Sequence, residues 1–415
     1  MPSPHAGPSP ERHLDDATRL VDARPESRRL LRIALVAPPV LPIPPQRYAG
    51  TERVVAALAD GLIARGHHVT LFASGDSTAG SETVAVLPSA AWGGRSTGDN
   101  AVYGMLAAMA ALEQADRFDV VHSHVDVMSL PLARQARVPV LTTFHARLDL
   151  PGLYEAVLAF GSAPLVAISE SQRRWHPAAN WVATIPHGLP LEAMPFEAEP
   201  GGYLAVVGRA TPEKGIAEAI EVASALAFPL RIAAKALNPA ERNYLDSHIR
   251  PAIGAGVQYL GEIGPDERDP LLAGARATLM LGAWPEPFGL VAIESLATGT
   301  PVIARRAGAL TEIVEHGVDG FLVDDLSEAK LAVSLVGELD RARIRERAIA
   351  RFSVERMVSA YEHVYQDLVD GHERRTAAAG VGEDRPIRRP SSVASVVSVQ
   401  SAEQDEDLDG RRASA

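Results

Sequence analysis

Two carboxylates, Glu286 and Glu294, bracket seven almost wholly apolar residues in the stretch WPEPFGLVAIE (284–294). Burying a carboxylate is costly unless something pairs with it, so each of them calls for a partner. Upstream, YLAVVGRATPEKG (203–215) carries Arg209 and Lys214 on either side of a turn. There an apolar strand gives way to a helix expected near Pro212. In a parallel sheet, ligands bind beyond the carboxyl ends of the strands, where helix N-termini aim backbone N–H groups at anions. A fixed guanidinium and an ammonium at such a place suit a diphosphate. A solvated helix start is the plainer reading of the same residues.

The glutamate pair has a matching explanation. Pro287 suits the first position of a helix, where its missing N–H costs nothing, and the pattern predicts that helix over Pro287–Thr298. Phe288, Gly289 and Leu290 then offer free amides, with Glu286 in the preceding loop and Glu294 about two turns in. At 1.5 Å per residue, roughly 10 Å separates the carboxylates along the axis. That span is comparable to a nucleotide sugar with a hexose at one end and a ribose at the other. Both sugars present paired hydroxyls, which carboxylates accept well.

The elements that must position these groups follow from the hydrophobic pattern. Six short apolar runs lie between Arg32 and Ile185 and six more between Tyr203 and Val323, with helical patterns in the gaps. Strands that are apolar throughout and alternate with helices indicate parallel sheets covered on both faces. The fold class expected is α/β: two Rossmann-like, doubly wound domains facing across a cleft. They are joined by the Pro/Gly/Glu-rich segment PHGLPLEAMPFEAEPGG. The polar ends of the chain lack sustained periodicity and are expected to be disordered.

Composition excludes several functions. Lys+Arg 40 against Asp+Glu 52 gives a formal net charge of -12, which disfavours nucleic acid as a partner. With no cysteine, disulfides, thiolate metal sites and cysteine nucleophiles are ruled out. No apolar run has the length of a membrane helix. The run RIALVA is short, and five prolines follow it between Pro38 and Pro45, so it is expected to be the first strand of a cytoplasmic protein rather than a signal segment. That strand is not followed by G-x-G-x-x-G, and no G-x-x-x-x-G-K-[ST] loop occurs. Dinucleotide and P-loop chemistry therefore lack support.

With its paired glutamates and GR-x4-K segment in this order, the chain from about Arg32 to Val369 resembles the retaining glycosyltransferases of family 4, which have the GT-B fold. The resemblance implies that Glu286 binds the donor sugar, Glu294 the nucleotide ribose, and Arg209 and Lys214 the diphosphate. It places the loop YAGTERVV near the donor phosphates, with Gly50 retained and Ala49 where the family has a second glycine. It places His145, in LTTFHARLDL, near the donor sugar and reaction centre. The catalytic set implied is His145, Glu286, Arg209 and Lys214, and the donor-binding set adds Gly50, Phe288, Gly289, Leu290 and Glu294. The expected organisation is a disordered segment at 1–28, an acceptor domain at 29–186, a linker at 187–202 and a nucleotide-sugar domain at 203–351. A helix at 352–372 would cross back to the first domain, and a disordered tail would follow at 373–415.

The activity implied is transfer of a hexose, with retention, from a nucleoside diphosphate sugar to an acceptor whose identity (small molecule, lipid or glycan) the sequence does not encode. Uridine diphosphate glucose is the first donor to consider. Arg209, Lys214 and the helix-end amides would carry the leaving-group charge, so neither a cofactor nor an obligatory metal is expected. Two other readings stand beside this one: a GT-B nucleotide-sugar epimerase and a non-catalytic sugar-nucleotide-binding protein.

Other motifs have blander readings. His122 and His124 at i, i+2 could join His145 in a metal site, but strand-end packing or acceptor contact fits better without a carboxylate motif. Arg173, Arg174 and Trp175 could touch anionic lipid, though a solvated helix face is the simpler reading. His187 is expected to shape the interdomain hinge, and Lys235 to approach the nucleotide.

Overall fold

The computed structural model describes residues 29–379, apart from 48, 81, 92–96, 151, 200 and 255. The expected disordered segment at 1–28 and the tail from 380 onward lie outside the described residues. The described residues up to His372 form one compact unit.

Two parallel sheets organise the chain. The first contains β1 (Arg32–Val36), β2 (His68–Ser74), β3 (Glu82–Leu87), β4 (Val120–Ser123), β5 (Val140–Thr143), β6 (Leu165–Ala167) and β7 (Trp181–Thr184). Its spatial order is β3-β2-β1-β4-β5-β6-β7. The second contains β8 (Leu204–Arg209), β9 (Leu230–Lys235), β10 (Val257–Gly261), β11 (Ala277–Met280), β12 (Val302–Arg305) and β13 (Gly320–Val323), in the order β10-β9-β8-β11-β12-β13. In both sheets all strands stay parallel but the order of winding reverses beside the first strand, between β1 and β4 and between β8 and β11. Such switch points open crevices at the strand ends.

The first sheet has seven strands where six were expected. The additional one, β3, lies at the edge and pairs only with β2. Its residues are partly or fully exposed, so it lacks the buried apolar run by which the others are recognised.

Four helices position the site. They are α1 (Thr51–Ala64), α2 (Leu290–Ala297), α3 (Arg341–Phe352) and α4 (Val354–Ala379). The C-terminal helix expected at 352–372 instead begins at Val354, after α3 closes at Phe352. It continues through Glu373–Ala379, which had been assigned to the disordered tail. The sequence ERRTAAA is rich in good helix formers, and it extends α4 where polarity alone suggested disorder.

α4 packs on the first sheet. Gly61 of α1 has no side chain at the point where Val358 approaches, and the Arg65 guanidinium meets Glu362. The Tyr361 hydroxyl lies 3.0 Å from Thr143 Oγ1, and that of Tyr365 lies 2.7 Å from His122 Nδ1. Both tyrosines are fully buried. The linker runs past the junction of α3 and α4, for the Gly188 amide donates to Met357 Sδ of α4 and that of Leu189 to the Phe352 carbonyl at the end of α3. Replacing Tyr365 with Phe keeps the ring but leaves an imidazole nitrogen unpaired in the core. Tyr365→Phe should cost about 1–3 kcal/mol, read as a lower urea midpoint at unchanged slope. A midpoint equal to the parent's would show that the bond contributes nothing.

Candidate active site

The loops after β8 and β11 meet at two glycines. Gly215 has φ +67°, and a Cβ there would come within 2.1 Å of the Gly282 nitrogen, so only glycine permits this approach. It brings the ammonium of Lys214 against the carboxylate of Glu286. Helix formation after β8 is delayed relative to expectation. Pro212–Lys214 is a single 3-10 turn, and the α-helix starts at Ile216. Arg209 ends β8 with its guanidinium 3.6 Å from Glu241. Lys235 ends β9, where burial lowers its pKa against the opposing charges of Glu262, Glu241 and Glu52.

The helix that carries Glu294 begins three residues later than expected. Gly289 has φ +114°, a left-handed conformation that terminates the preceding loop, and α2 starts at Leu290. Pro287 is therefore not the first helical residue, and Glu294 lies about one turn into the helix rather than two. The Pro287 carbonyl accepts a hydrogen bond from Ser169 Oγ of the first domain at 2.7 Å. The Glu286 carbonyl accepts from the Ala309 amide at 2.9 Å, fixing the loop on its other side.

Glu294 is 0% exposed. Its Oε1 lies 2.5 Å from Arg53 Nη1 and 3.2 Å from Arg268 Nη1. These contacts neutralise its charge, yet neither carboxylate oxygen has a hydrogen bond of good geometry. Arg53 comes from α1, one turn past Gly50, whereas Arg268 comes from the second domain and also pairs with Asp269 at 2.6 Å. The partners that the buried carboxylate needed are thus two arginines, one from each side of the cleft. Both escaped the sequence reading, although Arg53 sits inside YAGTERVV.

Between the sheets lies a cavity of about 270 Å³ whose wall includes Gly50, His145, His187, Arg209, Lys214 and Glu286. Phe288, Gly289 and Leu290 also border it, as do Ala49 and Lys235. Of the sequence-derived site residues only Glu294 is not part of the wall. Trp284, also in the wall, is covered by the Arg147 guanidinium 3.4 Å from its ring centre. Arg147 crosses from the loop that carries His145.

The first domain contributes a column of imidazoles. His122 bonds Tyr365 through Nδ1 and Thr143 through Nε2, both at 2.7 Å. His124 Nδ1 and His145 Nε2 are 2.8 Å apart. The His145 ring stacks on that of His187, with centroids 5.1 Å apart and planes 18° apart. Burial holds all four rings neutral, pushing His145 down to about 3 and the others well below the usual histidine range. The imidazoles bond and stack instead of converging, and no metal-binding cluster occurs among the described residues. His187, expected to shape the interdomain hinge, also forms part of the cavity wall. In the segment 171–176, Arg174 and Trp175 are exposed while Gln172 and His176 are buried.

Comparison with known proteins agrees with this geometry. The Glycosyltransferase Family 4 description matches residues 48–192, and Glycosyl transferases group 1 matches residues 195–349. The chain belongs to the family 4 glycosyltransferases. It is 44% identical over 99 residues to a D-inositol 3-phosphate glycosyltransferase of Acidothermus cellulolyticus, a match that spans only 22% of either chain. A glycogen synthase of Mycobacterium tuberculosis is 27% identical over 301 residues, covering 66% of this chain and 72% of the other. The crystal structure of AviGT4, a glycosyltransferase involved in avilamycin A biosynthesis, superposes with a TM-score of 0.62 at 26% identity. It covers 82% of this chain and 98% of AviGT4. The architecture is GT-B.

In this glycosyltransferase one carboxyl of the first domain is unusual. Asp126, just past β4, has φ +48° and accepts the His145 amide on Oδ1 at 3.2 Å. Burial pushes its pKa up to about 6, against that hydrogen bond. The unfolded value is about 3.9, so the folded form holds the proton more tightly. Stability contributed by the protonated form is therefore lost as pH rises from about 4 to about 6, and the cost persists above. Asn can accept the same bond and tolerates the left-handed backbone. Asp126→Asn should exceed the parent in stability by on the order of 1–3 kcal/mol at pH 8 and match it near pH 4. Urea titrations at the two pH values decide this, and an equal difference at both would overturn it.

Proposed function

We propose that this chain transfers a hexose from a nucleoside diphosphate sugar to an acceptor hydroxyl, with retention at the anomeric carbon. The observation that carries this reading is a cavity whose two sides differ in charge. Arg209, Lys214 and the amides at the start of α2 lie on one side, and neutral imidazoles lie on the other. The diphosphate is the leaving group, and developing charge on it is best stabilised by cations and amides already in place. The neutral side, with His145, suits the uncharged sugar.

In the reaction proposed, the bond from the anomeric carbon to the phosphate oxygen breaks while the acceptor oxygen bonds to the same face of that carbon. The acceptor proton passes to the departing phosphate. None of the carboxylates has been assigned as a covalent nucleophile, in contrast with retaining glycosidases. Glu286 would hold hexose hydroxyls and Glu294 the ribose. The ribose assignment rests on the family resemblance, for Glu294 is buried behind the cavity lining and paired with Arg53 and Arg268. The contact between Lys214 and Glu286 supports their roles, since a donor spanning phosphate and hexose would meet both side chains. Uridine diphosphate glucose is the donor to test first, and incubation with donor alone would reveal an epimerase by sugar interconversion.

Two cations and a helix start can replace a metal at the leaving group. Activity should survive exhaustive chelation; an absolute need for added magnesium or manganese in the transfer assay would contradict this account of the phosphate site.

The two glutamates should separate by calorimetry. Glu294→Gln should weaken bare nucleoside diphosphate and the complete nucleotide sugar by similar factors, roughly 10- to 150-fold. Glu286→Gln releases Lys214, so the bare nucleotide should bind as tightly as before or tighter while turnover falls. Equal loss of bare-nucleotide affinity in both variants would mean that the donor lies the other way along α2.

A further inference from the structure

His124 and His145 are both neutral, so each ring carries one proton. They share a single hydrogen bond, from Nδ1 of one to Nε2 of the other. Two arrangements satisfy it. If His124 donates, its own Nε2 is bare and the remaining proton sits on His145 Nδ1. If His145 donates, its Nδ1 is bare and His124 keeps a proton on Nε2. Neither of these outer nitrogens has a partner among the described residues, and both are buried.

What separates the arrangements is where the unpartnered N–H falls. His124 is 2% exposed, lies against the ring of His122 at 4.0 Å and is not part of the cavity wall. An N–H left there has no acceptor among the described residues, and buried orphan N–H groups are rare and costly. His145 is in the cavity wall, where a bound ligand can bring an oxygen. The surroundings leave little freedom to either ring. His122 is bonded at both nitrogens, Asp126 holds the His145 amide and His187 stacks on the His145 ring.

We propose that His124 is a positioning residue, donating from Nδ1 to His145 Nε2 and so fixing the His145 proton on Nδ1, from which it donates to an oxygen of the bound donor sugar. This rests on the transferase reading above. The imidazole in the sugar pocket is then a donor of fixed direction, and its partner one layer deeper sets that direction.

Nitrogen-15 spectra of the full chain labelled at histidine test it, with the His145 signals assigned by their loss in His145→Gln. In the parent protein with uridine diphosphate glucose, His145 should be protonated on Nδ1 alone. His124→Leu should lose this single form and raise the donor KM roughly 3- to 10-fold, with bare nucleoside diphosphate affinity unchanged. His124→Asn, whose amide N–H can take the place of Nδ1, should restore both. Protonation of His145 on Nε2 in the parent, or a proton position untouched by His124→Leu, would overturn the proposal. Should His124→Leu fail to fold, the parent spectrum and the Asn variant still decide. If the chain turned over no sugar nucleotide at all, the transferase reading would fail, while the spectrum of the free protein would still report whether His124 sets the proton.

Discussion

A carboxylate without water needs a positive charge close by, and Glu294 draws one of its two from the opposite domain. Arg53 stands on the first turn of α1, the helix that follows the Gly50 loop, while Glu294 stands on the first turns of α2. Breaking such a pair by removing one partner costs about 3–5 kcal/mol, because a buried charge is left uncompensated. The start of α1 is therefore held to the start of α2, and the residues that flank each start are brought to one cavity. Arg47 with Glu262, Ser169 with the Pro287 carbonyl and Arg147 over Trp284 cross the same cleft. They are more exposed or less charged, and they follow where the buried pair leads.

The second constraint is that buried imidazoles must be satisfied without charge. His122 meets it by bonding Thr143 on one side and Tyr365 of α4 on the other, so the crossing of α4 is registered in the polar core of the first domain. His67 and Arg65 both meet Glu362 of the same helix. α4 is therefore held by directional bonds as well as by apolar packing, and its position bears on the stacking of His124, His145 and His187 in turn.

Much of this was legible in the chain because each signal had one dominant physical cause. Continuous apolar runs gave the buried strands, and β3 was missed because an edge strand is half solvated. Arg209, Lys214 and Glu286 were recognisable as groups facing a cavity, since their charges have no purpose in a core, whereas Gly50 came from the family resemblance. The start of α2 was misplaced because proline is permitted at a helix start but does not require one there, whereas Gly289 at positive φ excludes helix. Arg53, Arg268 and the stacking of His187 on His145 were not legible, for they depend on contacts between segments that are far apart in sequence. A buried glutamate tells that a cation is present; only the fold tells which.

The two sheets share one strand order up to the last strand of the smaller sheet, and both present a crevice beside their first strand. The crevices were furnished differently. At the second, β8 and β9 end in Arg209 and Lys235 and the β11 loop leads into helix-start amides, so cations and amides face the crevice, with carboxylates beside them. At the first, β4 and β5 lead into His124 and His145, which burial keeps uncharged. A substrate with a charged half and a neutral half can satisfy both crevices in one orientation only. Reversing it would place a diphosphate among neutral rings, where its charge finds no counterion and its lost hydration is not replaced. The same symmetry of fold that makes the cleft thus leaves direction to the side chains, and the desolvation of charge sets it.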